Sequence, residues 1–204
     1  MMFPKKIARY VFPFAMICFG VAGTAVAQPL PENAPPPMPQ QPTQAEQAAT
    51  ESALAQLHAI NQFETRAGMM ALNRAKSKAV IDYASEIAED HQELDQRVLL
   101  TANQLDIKVA DSPQAAQKLA ELKQSPAQQR LTQVSGTEFD RAFIDAMVAG
   151  HESAIQTLQA ARAGVQNTQA AQTIDDALKT IQGHLDEARK LQRQLGVPQQ
   201  SGGW

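Results

Sequence analysis

Val80, Ala84, Ile87, His91, Leu94, Val98, Thr101 and Leu105 follow one another at alternating steps of four and three. That spacing puts all eight on one stripe of a helix, the seam by which helices pack on each other. The same rhythm returns as Ile144, Met147, His151, Ala154, Leu158 and Ala161, and again as Ile174, Ala177, Ile181, His184, Ala188, Leu191 and Leu195. A fourth stretch reads Leu54, Leu57, Asn61, Glu64, Gly68 and Ala71, where Glu64 keeps to the seam with a register shift of one residue. Four long helices are predicted, over about 45–74, 78–105, 137–163 and 168–195.

Punctuation along the chain agrees with these limits. Between Thr43 and Val197 the only prolines are Pro113 and Pro126, each behind a serine. Ser-Pro suits an N-cap followed by proline at the first helical position, where its missing N–H does no harm. Two short helices are therefore expected at about 113–123 and 126–134, with Thr137 capping the third long helix. Gly164 breaks the chain before Asn167 or Thr168 restarts it, and Gly196 with Pro198 closes the last helix. The first two long helices are joined by a tight link, as are the last two, which makes two antiparallel hairpins. About 30 residues lie between the hairpins, enough to travel the length of a helix at roughly 1.5 Å per residue. The fold class expected is all-α: a four-helix bundle of the ferritin-like kind, with one long helical crossover between the second and third long helices. Up-down-up-down threading with a decorated loop is the alternative.

Composition fits helices. Hydrophobic residues make up 44% and aromatic ones 5%, and the abundant alanine, leucine and glutamine lose little freedom in a helix. Residues 1–27 read as a secretory signal: Lys5, Lys6 and Arg9 precede an apolar run from Val11 to Gly23, and Ala25-Val26-Ala27 offers a cleavage site after Ala27. The apolar run falls well short of the roughly 20 residues that span a bilayer. An exported protein of the periplasm or envelope is expected, with no transmembrane span in the mature chain. Cys18 lies inside this segment behind Ile17, where a lipoprotein signal would place Gly or Ala, so the mature chain carries no thiol. Removing the three basic residues turns a net charge of −3 into about −6, which argues against a nucleic-acid partner. Seven prolines between residues 28 and 42 mark a Pro-rich linker over 28–43. The helical domain is then 44–197, and 198–204 form a disordered tail.

Each long seam carries one ionisable side chain near its middle: Glu64, His91, His151 and His184. Counted at 1.5 Å per residue, Glu64 and His91 lie roughly 18 and 21 Å from the first link. If the crossover returns the chain to that end, His151 and His184 lie roughly 21 and 17 Å down, in the same layer. Burying such groups apart would cost several kcal/mol each, whereas together they can share one divalent cation. One glutamate and three histidines suit zinc, copper, manganese or iron. A hydrogen-bonded polar network without metal is the rival reading. Asp90 is placed to orient an imidazole from a neighbouring helix, Glu187 is a reserve ligand one turn from His184, and Asp140 reads first as a cap near its own helix start. His58 stands one position off its seam and is expected at the surface. Met147 is a candidate thioether for copper, or core filler. No phosphate loop, GxSxG or HExxH motif is present.

The stretches Phe63-Glu64-Thr65-Arg66-Ala67-Gly68, Tyr83 to Asp90-His91, Gly136 to Phe139-Asp140-Arg141-Ala142-Phe143, His151 and Gly183-His184-Leu185 resemble the domain-of-unknown-function 4142 family, over roughly residues 50–197. The resemblance implies an exported ferritin-like protein whose marked polar positions are Glu64, Asp90, His91, Asp140, His151 and His184. It implies no activity. The Glu-x-x-His pairs of di-iron sites are missing, since Ala88, Val148 and Ile181 stand three residues before the histidines. Three functional classes remain at this stage: a metal-binding envelope protein, a bundle whose polar layer only sets helix register, and an interaction module. A homodimer or a second envelope protein is the partner class that the sequence leaves open.

Overall fold

The computed structural model describes residues 41–196, and every regular element in them is a helix. These are α1 (Gln44–Arg74), α2 (Lys78–Gln104), α3 (Pro113–Lys123), α4 (Pro126–Leu131), α5 (Gly136–Arg162) and α6 (Thr168–Gly196). The expected signal segment, nearly all of the proline-rich linker and the tail lie outside the described residues.

Local chemistry explains most of the boundaries. α1 opens on a capping box in which Thr43 accepts from the Glu46 amide while the Glu46 carboxylate accepts from the Thr43 N–H at 2.7 Å. Ser112 and Ser125 cap α3 and α4 by accepting from Ala115 and Gln128, and proline follows each of them. Asn167 accepts from the Ala170 N–H at 3.0 Å as α6 begins. At α5 the cap is Ser135 rather than Thr137, and Gly136 is the first helical residue. Gly136 has φ +62, a left-handed turn that glycine makes without steric cost. α4 stops at Leu131, short of the expected 134.

Buried apolar side chains fall into two clusters. One gathers Leu54, Leu57 and Ile60 of α1 with Val98 of α2, Leu158 of α5 and Ile174 of α6. The other gathers Ala71 of α1 with Val80 and Ile87 of α2, Phe139 and Phe143 of α5 and Leu191 of α6. The end of α1, the start of α2, the start of α5 and the end of α6 thus meet in the second cluster. α2 and α5 therefore run in one direction, and α1 and α6 in the other. α1 packs on α2 and α5, and α6 packs on the same two, so each of these four pairs is antiparallel.

Between α2 and α5 the chain must return to the end where α2 began. Leu119 and Leu122 of α3 pack against the first cluster, while Leu131 belongs to the second. The segment therefore travels the length of the long helices, as a crossover does. Arg74 holds its far end by donating to the Leu131 and Val134 carbonyls at 2.7 Å each, with its guanidinium 4.4 Å from the Phe139 ring centre. Because α3 also lies on α1, α1 is covered on a second side. His58, expected at the surface, is instead 3% exposed.

α1 and α2 approach most closely at Gly68. A Cβ there would stand 2.6 Å from the Ala84 carbonyl oxygen, a distance that no side chain tolerates. Glycine thus lets the two backbones touch one turn beyond Glu64. Among the described residues, no helix is long and apolar enough to cross a membrane.

Candidate metal centre

Between the two apolar clusters lies a polar layer to which every long helix contributes. His91 comes from α2, His151 from α5 and His184 from α6, with exposures of 0, 1 and 4%. Their ring centres stand 5.2 to 5.8 Å apart. One nitrogen from each ring lies within 4.8 Å of one from each of the others.

Each imidazole is held from outside through its other nitrogen. His151 donates Nδ1–H to the Met147 carbonyl at 2.8 Å. His184 Nε2 lies 2.9 Å from Asp90 Oδ2, and His91 Nδ1 lies 3.0 Å from Asn61 Oδ1. A carboxylate, a carbonyl and an amide oxygen can only accept, so the imidazole donates in each case. The tautomers follow. Nε2 of His91, Nε2 of His151 and Nδ1 of His184 are left as lone-pair nitrogens, and all three lack a hydrogen-bond partner among the described residues.

Burial favours the neutral form of His91 and His151. It pushes the His91 imidazole well below its ordinary value, helped by the charges that His151 and His184 would carry. His151 is lowered to about 4, by burial first and by His184 second. Imidazole nitrogens gathered this closely, with one unpartnered nitrogen on each ring, attract a cation. A tetrahedral ion with nitrogens at about 2.0–2.1 Å needs them ~3.3 Å apart, so the rings must close by about 1.5 Å at most.

Glu64 of α1 belongs to the same layer and is buried. Its Oε2 has no partner among the described residues, and its Oε1 faces the bare Cα of Gly150, where a Cβ would stand 3.5 Å away. Burial pushes the carboxyl up to about 8, so it is chiefly protonated at neutral pH. Glu64 is not among the three residues whose ligand atoms cluster within 4.8 Å. Beside it, Tyr83 donates its hydroxyl to the His184 carbonyl at 3.2 Å and ties α2 to α6 at this level.

The other sequence candidates sort clearly. Asp90 orients His184, as expected of it. Asp140 is buried but far from the layer in role: its Oδ1 accepts from Lys76 N at 3.0 Å and its Oδ2 from Ser77 N at 2.8 Å. It therefore caps the start of α2 rather than its own helix, and it does so because Ser77 offers no side-chain cap. Glu187 is partly exposed and pairs with Lys190 at 3.1 Å instead of facing the histidines. Met147 packs in the second apolar cluster and reaches His151 through its main-chain oxygen. His58 forms a separate buried pair with Asp95 at 2.6 Å, its other nitrogen 3.0 Å from Gln62. Asn61 had not been singled out in the sequence, although an amide on the seam between Leu57 and Glu64 was the available signal.

A second group of metal-compatible atoms lies just outside: Glu86 and Asp90 of α2 with His184. Glu86 is exposed, and Asp90 is 42% exposed.

A family model described as "Domain of unknown function (DUF4142)" matches residues 34–191. No curated protein and no solved structure matches the chain.

Proposed function

The chain belongs to the DUF4142 family, and from that premise we propose that it is an exported envelope protein holding one divalent transition metal at the centre of a ferritin-like four-helix bundle. Three buried histidines bring ring nitrogens within 4.8 Å of one another, and each keeps one nitrogen without a partner while an outer acceptor holds the other; that observation carries the reading. Metal-binding histidines characteristically donate their second nitrogen to such an acceptor, which sets the tautomer and raises ligand basicity.

The donor set suits zinc, copper or iron better than manganese. Glu64 completes the set as a fourth ligand once a cation replaces its proton and its side chain moves toward the rings, since its carboxylate lies outside the cluster of ligand nitrogens. The helix directions support the ferritin-like assignment, with its long crossover after α2. The charged, apolar and small-residue segments of residues 1–27 support export to the periplasm. Burial of the three histidines favours holding or buffering the ion over turnover of a substrate.

A metal-free polar network that sets helix register is the second reading, favoured by the three outer hydrogen bonds. It leaves five buried polar atoms without partners, each costing about 1–3 kcal/mol. The test is elemental analysis of the protein purified from the periplasm without chelator, alongside His151→Ala. Near-stoichiometric metal that disappears in the variant, with helicity kept, is the expected result. Protein that holds none and takes up none of several offered divalent ions overturns the metal reading.

A further inference from the structure

The three imidazoles differ in what stands behind them. His91 is backed by Asn61, which is fully buried, and His151 by a main-chain carbonyl within its own helix. Only His184 is backed by a group that reaches solvent, the Asp90 carboxylate. One turn earlier on α2, Glu86 brings a second carboxylate, and the ligand atoms of Glu86, Asp90 and His184 lie within 4.8 Å of one another. His184 is therefore the one residue common to the inner and the outer group. It is itself 4% exposed, and its inner Nδ1 has no partner.

We infer that the Glu86–Asp90 side of His184 is the loading gate for the inner centre: the two carboxylates capture a hydrated divalent cation at the surface, and rotation of the His184 ring passes it to the three inner nitrogens. This rests on the metal reading above and adds the route by which that site fills. Carboxylates are hard, exchangeable donors and take a hydrated ion quickly, whereas neutral imidazoles hold zinc or copper more firmly. The ion thus meets progressively better donors on the way in. Glu86 and Asp90 are both carboxylates, so the entrance beside His184 carries negative charge. A surface of like sign raises the local concentration of counter-charged ligand and speeds its arrival. Glu86 supplies no atom to the inner set, so it governs how fast the site fills and not how much it holds.

Cobalt(II) serves as the probe, since its visible bands intensify on nitrogen coordination in a low-symmetry site. Uptake by the metal-free full chain is followed by stopped flow for wild type, Glu86→Gln and Glu89→Gln. Glu89 is exposed on the same helix, outside both groups, and controls for a simple loss of charge. Glu86→Gln is expected to slow uptake by roughly tenfold at low salt, with the same final absorbance, while Glu89→Gln stays near wild type. Equal rates for wild type and Glu86→Gln overturn the gate, as does equal slowing by both variants. A lower final absorbance in Glu86→Gln overturns it too, because Glu86 would then hold the ion. If the wild type takes up no cobalt, the metal reading falls and the gate with it. That outcome is distinct from the others.

Discussion

Asp90 on α2 accepts a hydrogen bond from His184 on α6 at 2.9 Å, and this contact decides which nitrogen of His184 faces the centre. With Nε2 committed to Asp90, Nδ1 is left to join Nε2 of His91 and Nε2 of His151. Asp90→Asn keeps the volume but weakens the acceptor and frees the tautomer. Metal affinity is expected to fall by about 10–100-fold with fold and stoichiometry unchanged, as read by competition against a chromophoric chelator.

Metal-free protein should show a stability maximum near pH 6.5. The histidines have folded values below the unfolded 6.5, about 4 for His151 and lower than ordinary for His91. Their contribution is complete above pH 6.5 and drains as pH falls toward 4. Glu64 has the opposite sign: its folded value is about 8 against 4.5 unfolded, so its contribution is complete below 4.5 and drains as pH rises toward 8. Each group contributes a slope of order 1 kcal/mol per pH unit within its window. Two histidines outweigh one glutamate below pH 6.5, and only the glutamate acts above it. Urea midpoints recorded with chelator from pH 4 to 9 should trace this shape. Glu64→Gln should flatten the alkaline side and steepen the rise between pH 4.5 and 6.5, where the histidines then act unopposed, and wild-type and variant curves that stay parallel would contradict the assignment.

Gly68→Ala should destabilise the protein although alanine is the better helix former. The gain in propensity is about 1 kcal/mol, but the new Cβ would sit 2.6 Å from the Ala84 carbonyl and 3.0 Å from the Ala88 amide nitrogen. Backbone cannot turn aside as a side chain does, so α1 and α2 must part. A net loss of about 1–3 kcal/mol is expected, measured by denaturant unfolding. Since Glu64 and His91 sit just below this contact, metal affinity should drop as well.

Asp140→Ala separates stability from the centre. Removing the carboxylate strands the Lys76 and Ser77 amides at the start of α2, which costs about 1–3 kcal/mol. Metal content should remain that of the wild type. Loss of metal in a folded Asp140→Ala protein would show that Asp140 acts on the histidine layer after all.

Most helix limits were legible in the sequence because caps are local. Thr43 with Glu46, Ser112-Pro113 and Ser125-Pro126 each state a helix start within a few residues. The three histidines were legible for a related reason: a seam at steps of three and four points inward whatever the partner helix is. His58 was not, because its burial depends on α3 lying across a second side of α1. Periodicity reports how many faces a helix hides only when every cover is known. Asp140 misled for a similar reason. A carboxylate near the start of α5 reads as its own cap, and only tertiary structure brings the Lys76 and Ser77 amides to it. The tautomers of the histidines, on which the chemistry turns, depend on acceptors contributed by α1, α2 and α5.

The layer of histidines also divides the interior, with one apolar cluster on either side of it. Without a cation the two halves are joined mainly by helix backbones and weakly held polar groups, so amide exchange should reveal two sub-global openings of different energy. An ion bound at once to α2, α5 and α6 acts as a rivet through that waist. Loaded protein should then open as a single unit, making cooperativity itself a signature of the filled site.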